Sequence, residues 1–298
     1  MQRKIILIGE LILDKNFFIR SQGKAAEFNS PKNILLKKEL NLGGAGMVYN
    51  ALTKISKNVE FFSITNHEIQ NKIIKNLKKN ILFDINYKLE KNRYWEKKKM
   101  IMQLNHIRLT KKSIKNFQNF LIKKIKSEKN GGNIIFSDYR NGIFDKEHTK
   151  KIIKILKSKN NIIFVDQQST TKKPDLLKFK NADYLILNEY EFRKAFKKYK
   201  INNLNFENSL KVLRKKIGIN NFIIKMGKKG SSYFTEGTFV KVKAYKTAKN
   251  LNTIGAGDFF LAKFATLEKK TMKDKLYEAN KFAYKKISNK IKIKSIRI

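Results

Sequence analysis

Late in the chain the sequence reads Leu251-Asn-Thr-Ile-Gly255-Ala-Gly257-Asp258-Phe-Phe, followed by the helix-compatible Leu261-Ala-Lys-Phe-Ala265. Glycines on both sides of an alanine let the backbone turn tightly into a helix, so that first-turn N–H groups can face an anion. The helix dipole adds to that attraction. A carboxylate at the same helix start, Asp258, can take a proton from a hydroxyl while the backbone of Gly255, Ala256 and Gly257 neutralises a transferring phosphoryl group. The plain alternative is a helix start in which Asp258 only complements the dipole. A second glycine cluster, Leu42-Gly43-Gly44-Ala-Gly-Met47-Val-Tyr-Asn50, would let a polyhydroxyl ligand approach the backbone closely, with Asn50 or Asp14 as hydrogen-bond partners. An ordinary strand-to-helix turn reads the same way. Third, Asn188-Glu-Tyr-Glu191 directly follows the apolar run Tyr184-Leu-Ile-Leu187. The pair Asn188 and Glu191 could organise a water-coordinated Mg2+ near phosphates, or simply cap a helix.

These residues need a scaffold, and the hydrophobic pattern supplies one. Compact apolar runs at Ile5 to Gly9, Val59 to Thr65, Ile134 to Ser137, Ile162 to Val165, Tyr184 to Leu187 and Phe222 to Met226 have buried-strand character. Amphipathic stretches such as Ile114 to Ile125, Glu147 to Leu156 and Glu189 to Phe196 lie between them. Strand-helix alternation of this kind predicts an α/β fold, a mostly parallel sheet with helices on both faces. Residues 11–42 and 90–108 break the rhythm with alternating, charge-flanked sequence, which predicts antiparallel strands projecting as a small lid. No fixed-period repeat and no Pro- or Ser-rich linker divides the chain, so residues 1–298 are expected to form one domain. Exposed lid strands make a homodimer through the lid the expected assembly.

Composition narrows the chemistry. Cysteine is absent, which excludes disulfide scaffolds, thiolate metal sites and cysteine nucleophiles, and the only histidines are His67, His106 and His148. The 298 residues, 41% of them hydrophobic, can fill a substantial core. The first apolar run is interrupted by Glu10 and Asp14, and nothing approaches the roughly 20 apolar residues of a membrane span, so a cytoplasmic protein without membrane contact is expected. The 67 Lys and Arg against 24 Asp and Glu give a formal net charge of +43. A nucleic-acid-binding protein is therefore the rival from another class. The lysines are spread over the whole chain instead of gathering into a stripe, which favours solvated surface over a specific nucleic-acid site.

The order of these pieces resembles the ribokinase-like sugar kinases, the PfkB family. Gly43-Gly44 is similar to that family's amino-terminal sugar-binding signature, Asn188-x-x-Glu191 to its N-x-x-E magnesium motif, and Asn252-Thr-Ile-Gly-Ala-Gly-Asp258 to its D-T-x-G-A-G-D signature. Lys225-Met-Gly-Lys-Lys-Gly230 looks like the strand-turn before the ATP site. The resemblance covers essentially the whole chain and implies a ribokinase-like three-layer αβα sandwich with a small β-sheet lid. It implies ATP and Mg2+ as cofactors, a sugar or sugar-phosphate substrate, Asp258 as the base, and Gly255, Ala256 and Gly257 as the anion hole. Lys225, Gly227, Gly230 and Asn280 would surround the nucleotide, Asn188 and Glu191 would organise Mg2+, and Asn252 with Thr253 would hold a monovalent cation such as K+.

Within that family the likeness is greatest to the heptose 7-phosphate kinases of lipopolysaccharide precursor synthesis. Gly9-Glu10-Leu-Ile-Leu-Asp14, Ser30-Pro31, Lys91-Asn-Arg93-Tyr94 with Gln103, and Ser137-Asp138-Tyr139-Arg140-Asn141-Gly142 carry it. By that resemblance Asp14, Gly43, Gly44, Asn50, Arg93 and Asp138 would bind the sugar. The planar fork of Arg93 suits its phosphate, with a solvated lid arginine as the alternative. Departures exist. Asn252 stands for the usual first aspartate, Met47 for a sugar-binding asparagine and Asn141 for a lysine, while Thr65-Asn-His-Glu68 lacks the usual G-x-D-x-x-G. They leave two further readings: a kinase for ribose, fructose, a nucleoside or a phosphofructose, and a catalytically degenerate sugar-binding homologue. The adenylyltransferase domain often fused to heptose kinases is expected to be absent.

Overall fold

The computed structural model describes residues 3–66, 80–128, 131–168, 172–246, 253–291 and 296–297. Strands β1 (Ile5–Gly9), β2 (Leu11–Lys24) and β3 (Pro31–Gly44) lead into helix α1 (Ala45–Leu52). Then come β4 (Val59–Thr65), β5 (Ile81–Phe83), β6 (Lys88–Glu96), β7 (Lys99–Arg108), α2 (Lys111–Ser127), β8 (Asn133–Asp138), α3 (Lys146–Lys157) and β9 (Ile162–Gln167). The chain continues through β10 (Tyr184–Asn188), α4 (Glu189–Lys198), α5 (Phe206–Ile217), β11 (Asn221–Lys225), β12 (Ser231–Thr235), β13 (Thr238–Val242), α6 (Ala256–Ala265), α7 (Met272–Ile287) and β14 (Ile296–Arg297).

Nine strands form one sheet in the order β13-β12-β11-β10-β9-β8-β1-β4-β5. All pairings are parallel except those made by β12, which runs antiparallel to both β11 and β13. The alternation along each strand sorts the core into two layers. Ile6, Ile8, Phe136, Val165 and Leu187 pack with α2 to α5 on one face. Ile5, Leu7, Ile135, Phe164 and Ile186 pack with α1, α6 and α7 on the other. This is the expected α/β sandwich. Helix starts follow from side-chain caps: Thr110 accepts from the N–H of Ser113, Asp145 from His148 and Asn205 from Asn208.

The lid is a separate five-stranded sheet, β14-β3-β2-β6-β7. Its hairpins β2–β3 and β6–β7 are antiparallel as expected, whereas β2 and β6 pair in parallel, Asp14 opposite Lys91 and Asn16 opposite Arg93. That parallel seam arises because both hairpins leave the main sheet in the same direction, and it sets two substrate-side candidates on neighbouring strands. Among the described residues no helix is long and apolar enough to cross a membrane.

Candidate active site

In a parallel sheet the carboxyl ends of the strands share one edge, where ligands bind. Here that edge is polar: Glu10 follows β1, Asp138 ends β8, Asp166 lies one residue before the end of β9, Asn188 ends β10 and Lys225 ends β11. Above it α6 begins at Gly255, whose φ of 83° is left-handed and therefore suits glycine. A side chain there would also crowd Met47, whose Cγ and Sδ would lie 3.3 Å from an added Cβ. The N–H of Ala256 bonds back to the Thr253 carbonyl at 3.1 Å. The first-turn N–H groups that follow are helix-start donors of the kind that can face an anion, and Gly257 among them lines the smaller of two cavities beside the turn.

Asp258 sits in that first turn, half-buried, and its Oδ1 accepts from the Tyr139 hydroxyl at 2.9 Å. Burial, reinforced by the charge of Asp166, pushes its carboxyl up to about 7, while Tyr139, Lys225 and Lys91 pull the other way. A carboxyl tuned to that range suits a general base. Lys225 Nζ pairs with Asp166 Oδ2 at 2.8 Å; burial opposes its charge, but Asp166 and Glu191 outweigh burial and hold the ammonium above its ordinary range. Burial lowers the Lys91 ammonium against the pull of Asp14, and its Nζ stands 5.4 Å from the centre of the Tyr139 ring.

Two cavities lie side by side at the start of α6; Gly257 lines the smaller of them, and Asp258 itself lines neither. One, of about 440 Å³, is lined by Lys225, Gly227, Gly230, Tyr245, Gly257 and Asn280 among others, and thus gathers all four nucleotide-side candidates. The second, of about 860 Å³, is bounded by Asp14, Met47 and Arg93, with Lys97, Lys98 and Lys286 at its cationic side. Thr253 and Ile287 line both. In the larger cavity Arg93 Nη1 pairs with Asp14 Oδ2 at 2.9 Å, and its Nε donates to Gln103 at 3.1 Å. Gly43 lies against the same carboxylate, where an added Cβ would come within 2.5 Å of Asp14 Oδ2. The expected close approach to the glycine pair is made here by the chain's own Asp14.

Other candidates fall elsewhere. Asn50 lines neither cavity; Met47 occupies the turn of α1 beside Gly255, and Asn50 lies one turn further along. Asp138 is buried beneath the site, where its carboxylate binds Lys178 Nζ and Gln167 Nε2, each at 2.8 Å, and the N–H of Arg140 at 2.8 Å. Gly44, with φ 60°, is the residue that precedes α1. Asn188 and Glu191 form a reciprocal capping box at the start of α4, with contacts of 2.8 and 2.9 Å. Asn252 lies outside the described residues, as do His67 and Glu68, while Thr253 is exposed at the shared lip. For Mg2+, Asn188 and Glu191 offer hard oxygen donors beside Lys225, and the buried Asp166 Oδ1 has no hydrogen-bond partner, an acceptor ready for a water of a hydrated ion.

Tyr139, Asp166, Lys91 and Lys286 were not singled out by sequence reasoning. Asp166 had a usable signal, since it follows an apolar strand whose carboxyl end must face the site. Tyr139 and Lys91 stood within quoted motifs, but their proximity to Asp258 comes from strand adjacency.

Residues 58–290 match the family described as pfkB family carbohydrate kinase. The bifunctional protein HldE of Helicobacter pylori strain J99 is 27% identical over 292 residues, which is 93% of this chain and 61% of that protein. HldE of Aliarcobacter butzleri strain RM4018 is 27% identical over 270 residues, 88% of this chain and 55% of its own length. The chain thus spans less than two thirds of these curated relatives. Among solved structures, ribokinase from Arabidopsis thaliana complexed with ribose and ATP superposes with a TM-score of 0.72 at 17% identity, over 97% of this chain and 93% of its own. Phosphofructokinase-2 from Escherichia coli in complex with fructose-6-phosphate gives 0.69 at 11% identity, over 97% and 100%.

Proposed function

This chain belongs to the pfkB family of carbohydrate kinases, and from that premise we propose that it transfers the γ-phosphoryl group of ATP to the 1-hydroxyl of heptose 7-phosphate, with Asp258 as base. The observation that carries the reading is the pair of cavities sharing Thr253 and Ile287 beside the helix that Asp258 opens. A nucleotide in the smaller cavity and a sugar in the larger would meet at that shared wall, next to the helix turn that carries Asp258. Cationic side chains of the larger cavity, Arg93, Lys97, Lys98 and Lys286, support a phosphorylated acceptor, and the HldE relatives support a heptose.

In this mechanism Asp258 accepts the acceptor's proton, and the oxygen so released attacks phosphorus in line. The backbone of the Gly255-Ala256-Gly257 turn, of which Gly257 lines the nucleotide-side cavity, stabilises charge on the transferring group together with Lys225. Asn188 and Glu191 would hold Mg2+ through water; bound there, it would neutralise phosphate charge. Asn252 and Thr253 are the proposed monovalent-cation residues. The whole chain, 1–298, acts as one kinase domain, with segments 11–42 and 90–108 closing over the sugar to exclude water.

An ADP-release assay over a panel of acceptors tests the substrate. Heptose 7-phosphate is expected to give a kcat/KM at least about 100-fold above ribose, fructose, fructose 6-phosphate and nucleosides, a discrimination of the size built polar sites achieve. A higher value for any of the others replaces heptose as the substrate.

The lid supports a homodimer. Met102 and Leu104 of β7 are 45 and 49% exposed on one face, opposite Tyr94 and Asn92, an apolar pair on an edge strand. Sedimentation is expected to give twice the 35.0 kDa chain mass, and Met102→Lys with Leu104→Lys to halve it. A wild-type protein sedimenting as a monomer at micromolar concentration removes the dimer from the proposal.

A further inference from the structure

We infer that Tyr139 is a positioning residue for phosphoryl transfer: its hydroxyl, held 2.9 Å from Oδ1 of Asp258, orients that carboxylate and keeps it available to receive a proton through Oδ2. The inference rests on the reading of Asp258 as the base, and it assigns work to a side chain that the reaction scheme leaves out.

The geometry is built from both directions. Tyr139 directly follows β8, in a turn pinned at every step. The N–H of Arg140 donates to Asp138 Oδ1 at 2.8 Å, and the N–H of Asn141 donates to Glu10 Oε1 at 2.8 Å. Lys172 Nζ donates to the Arg140 carbonyl at 2.7 Å, and Arg140 Nη2 to the Lys173 carbonyl at 3.0 Å. Arg140 itself takes φ 62°, a left-handed conformation that one side-chain and two backbone bonds hold in place. Lys91 stands over the Tyr139 ring from the lid, so the phenol is fixed by the main sheet on one side and by the lid on the other. Burial, and then the charge of Asp258, raise the Tyr139 hydroxyl well above its ordinary range, so it remains a donor throughout.

A hydrogen bond donated to a carboxylate favours its charged form. The other groups facing Asp258 are Asp166 on β9, which opposes its charge, and Lys225 on β11, Lys91 on β6 and Lys286 on α7, which favour it. Tyr139 is the one that fixes direction as well as charge, because it bonds a single oxygen of the carboxylate. In the step itself the acceptor O–H bond breaks, its proton passes to Asp258 Oδ2, the acceptor oxygen bonds phosphorus, and ADP leaves with the electron pair of the β–γ bridge. Tyr139 keeps its proton from start to finish.

The test reads the carboxyl directly, with no sugar needed. In protein labelled with aspartate ¹³Cγ, the Asp258 signal is assigned by its loss in Asp258→Asn and titrated in the nucleotide-free chain. Tyr139→Phe, which keeps the ring beneath Lys91, is expected to raise the midpoint by about one pH unit. Site-specific 3-fluorotyrosine at 139, a stronger donor of the same shape, is expected to lower it, and decides the matter if the phenylalanine variant does not fold. With heptose 7-phosphate and ATP, Tyr139→Phe should lose roughly tenfold in kcat/KM at pH 6 and under about threefold at pH 9. Unchanged midpoints in both variants, or a loss equal at every pH, overturn the inference. Should Asp258→Asn keep full turnover while Tyr139→Phe still shifts the midpoint, the assignment of the base is at fault and the pairing stands.

Discussion

Asp258→Asn is expected to lower kcat by about 10³-fold, within the range that a positioned general base supplies. Asparagine has the same outline and can still accept from Tyr139 at the position of Oδ1, so the fold and nucleotide binding should persist. What disappears is the group that receives the proton. The wild-type profile gives an independent check. With its carboxyl raised to about 7, Asp258 is ionised in only about a tenth of molecules at pH 6, so kcat/KM should climb through neutrality and level off above it. Stability runs the opposite way. A carboxylate raised in the folded state contributes most when protonated, fully below its ordinary range, and loses that contribution as pH rises through about 7. At pH 8 the wild type therefore carries an unfavourable buried charge, and Asp258→Asn should melt no lower than the wild type. An Asp258→Asn protein with wild-type turnover refutes the assigned base.

Lys225→Met is expected to damage both fold and rate. Its ammonium faces Asp166 at 2.8 Å, with the two side chains 16% and 9% exposed. Removing one member of a largely buried pair strands the other's charge, a loss of roughly 3 kcal/mol. For a chain of this size that lowers the melting temperature by several degrees. The stranded Asp166 also acts on Asp258, pushing its carboxyl further up and leaving less of it ionised at pH 7. Together with the lost cation beside the nucleotide cavity, kcat/KM at pH 7 should fall at least about 100-fold. The double variant with Asp166→Asn separates the two effects. It should regain most of the melting temperature, because no unpaired charge remains, without regaining the rate. Unaltered melting in the single variant contradicts the account of the pair.

The central architecture was readable in advance because buried parallel strands are written as apolar runs. β1 and β4 begin and end where those runs do, Ile5 to Gly9 and Val59 to Thr65. β8, β9 and β10 extend one or two residues past the apolar runs, and the added residues include Asp138, Asp166 and Asn188. The reason is physical: the strand is still paired, but its side chains have left the core and entered the site edge, so hydrophobicity stops reporting structure where function begins. The hairpin β12–β13 escaped notice because its outer strand is half-exposed and short. Asn50 follows the glycine pair closely in sequence, yet α1 carries it one turn past Met47, and it lines neither cavity. The contact between Tyr139 and Asp258 joins residues 119 apart in sequence, a separation no local motif encodes.

Thr253 and Ile287 form a common wall for the two cavities, and this ties the occupants together. Whatever filling one side does to that wall is felt on the other, so donor and acceptor should alter each other's dissociation constants by one and the same factor, whichever arrives first. Two titrations run in opposite orders therefore give the strength of the wall as a single reciprocal number.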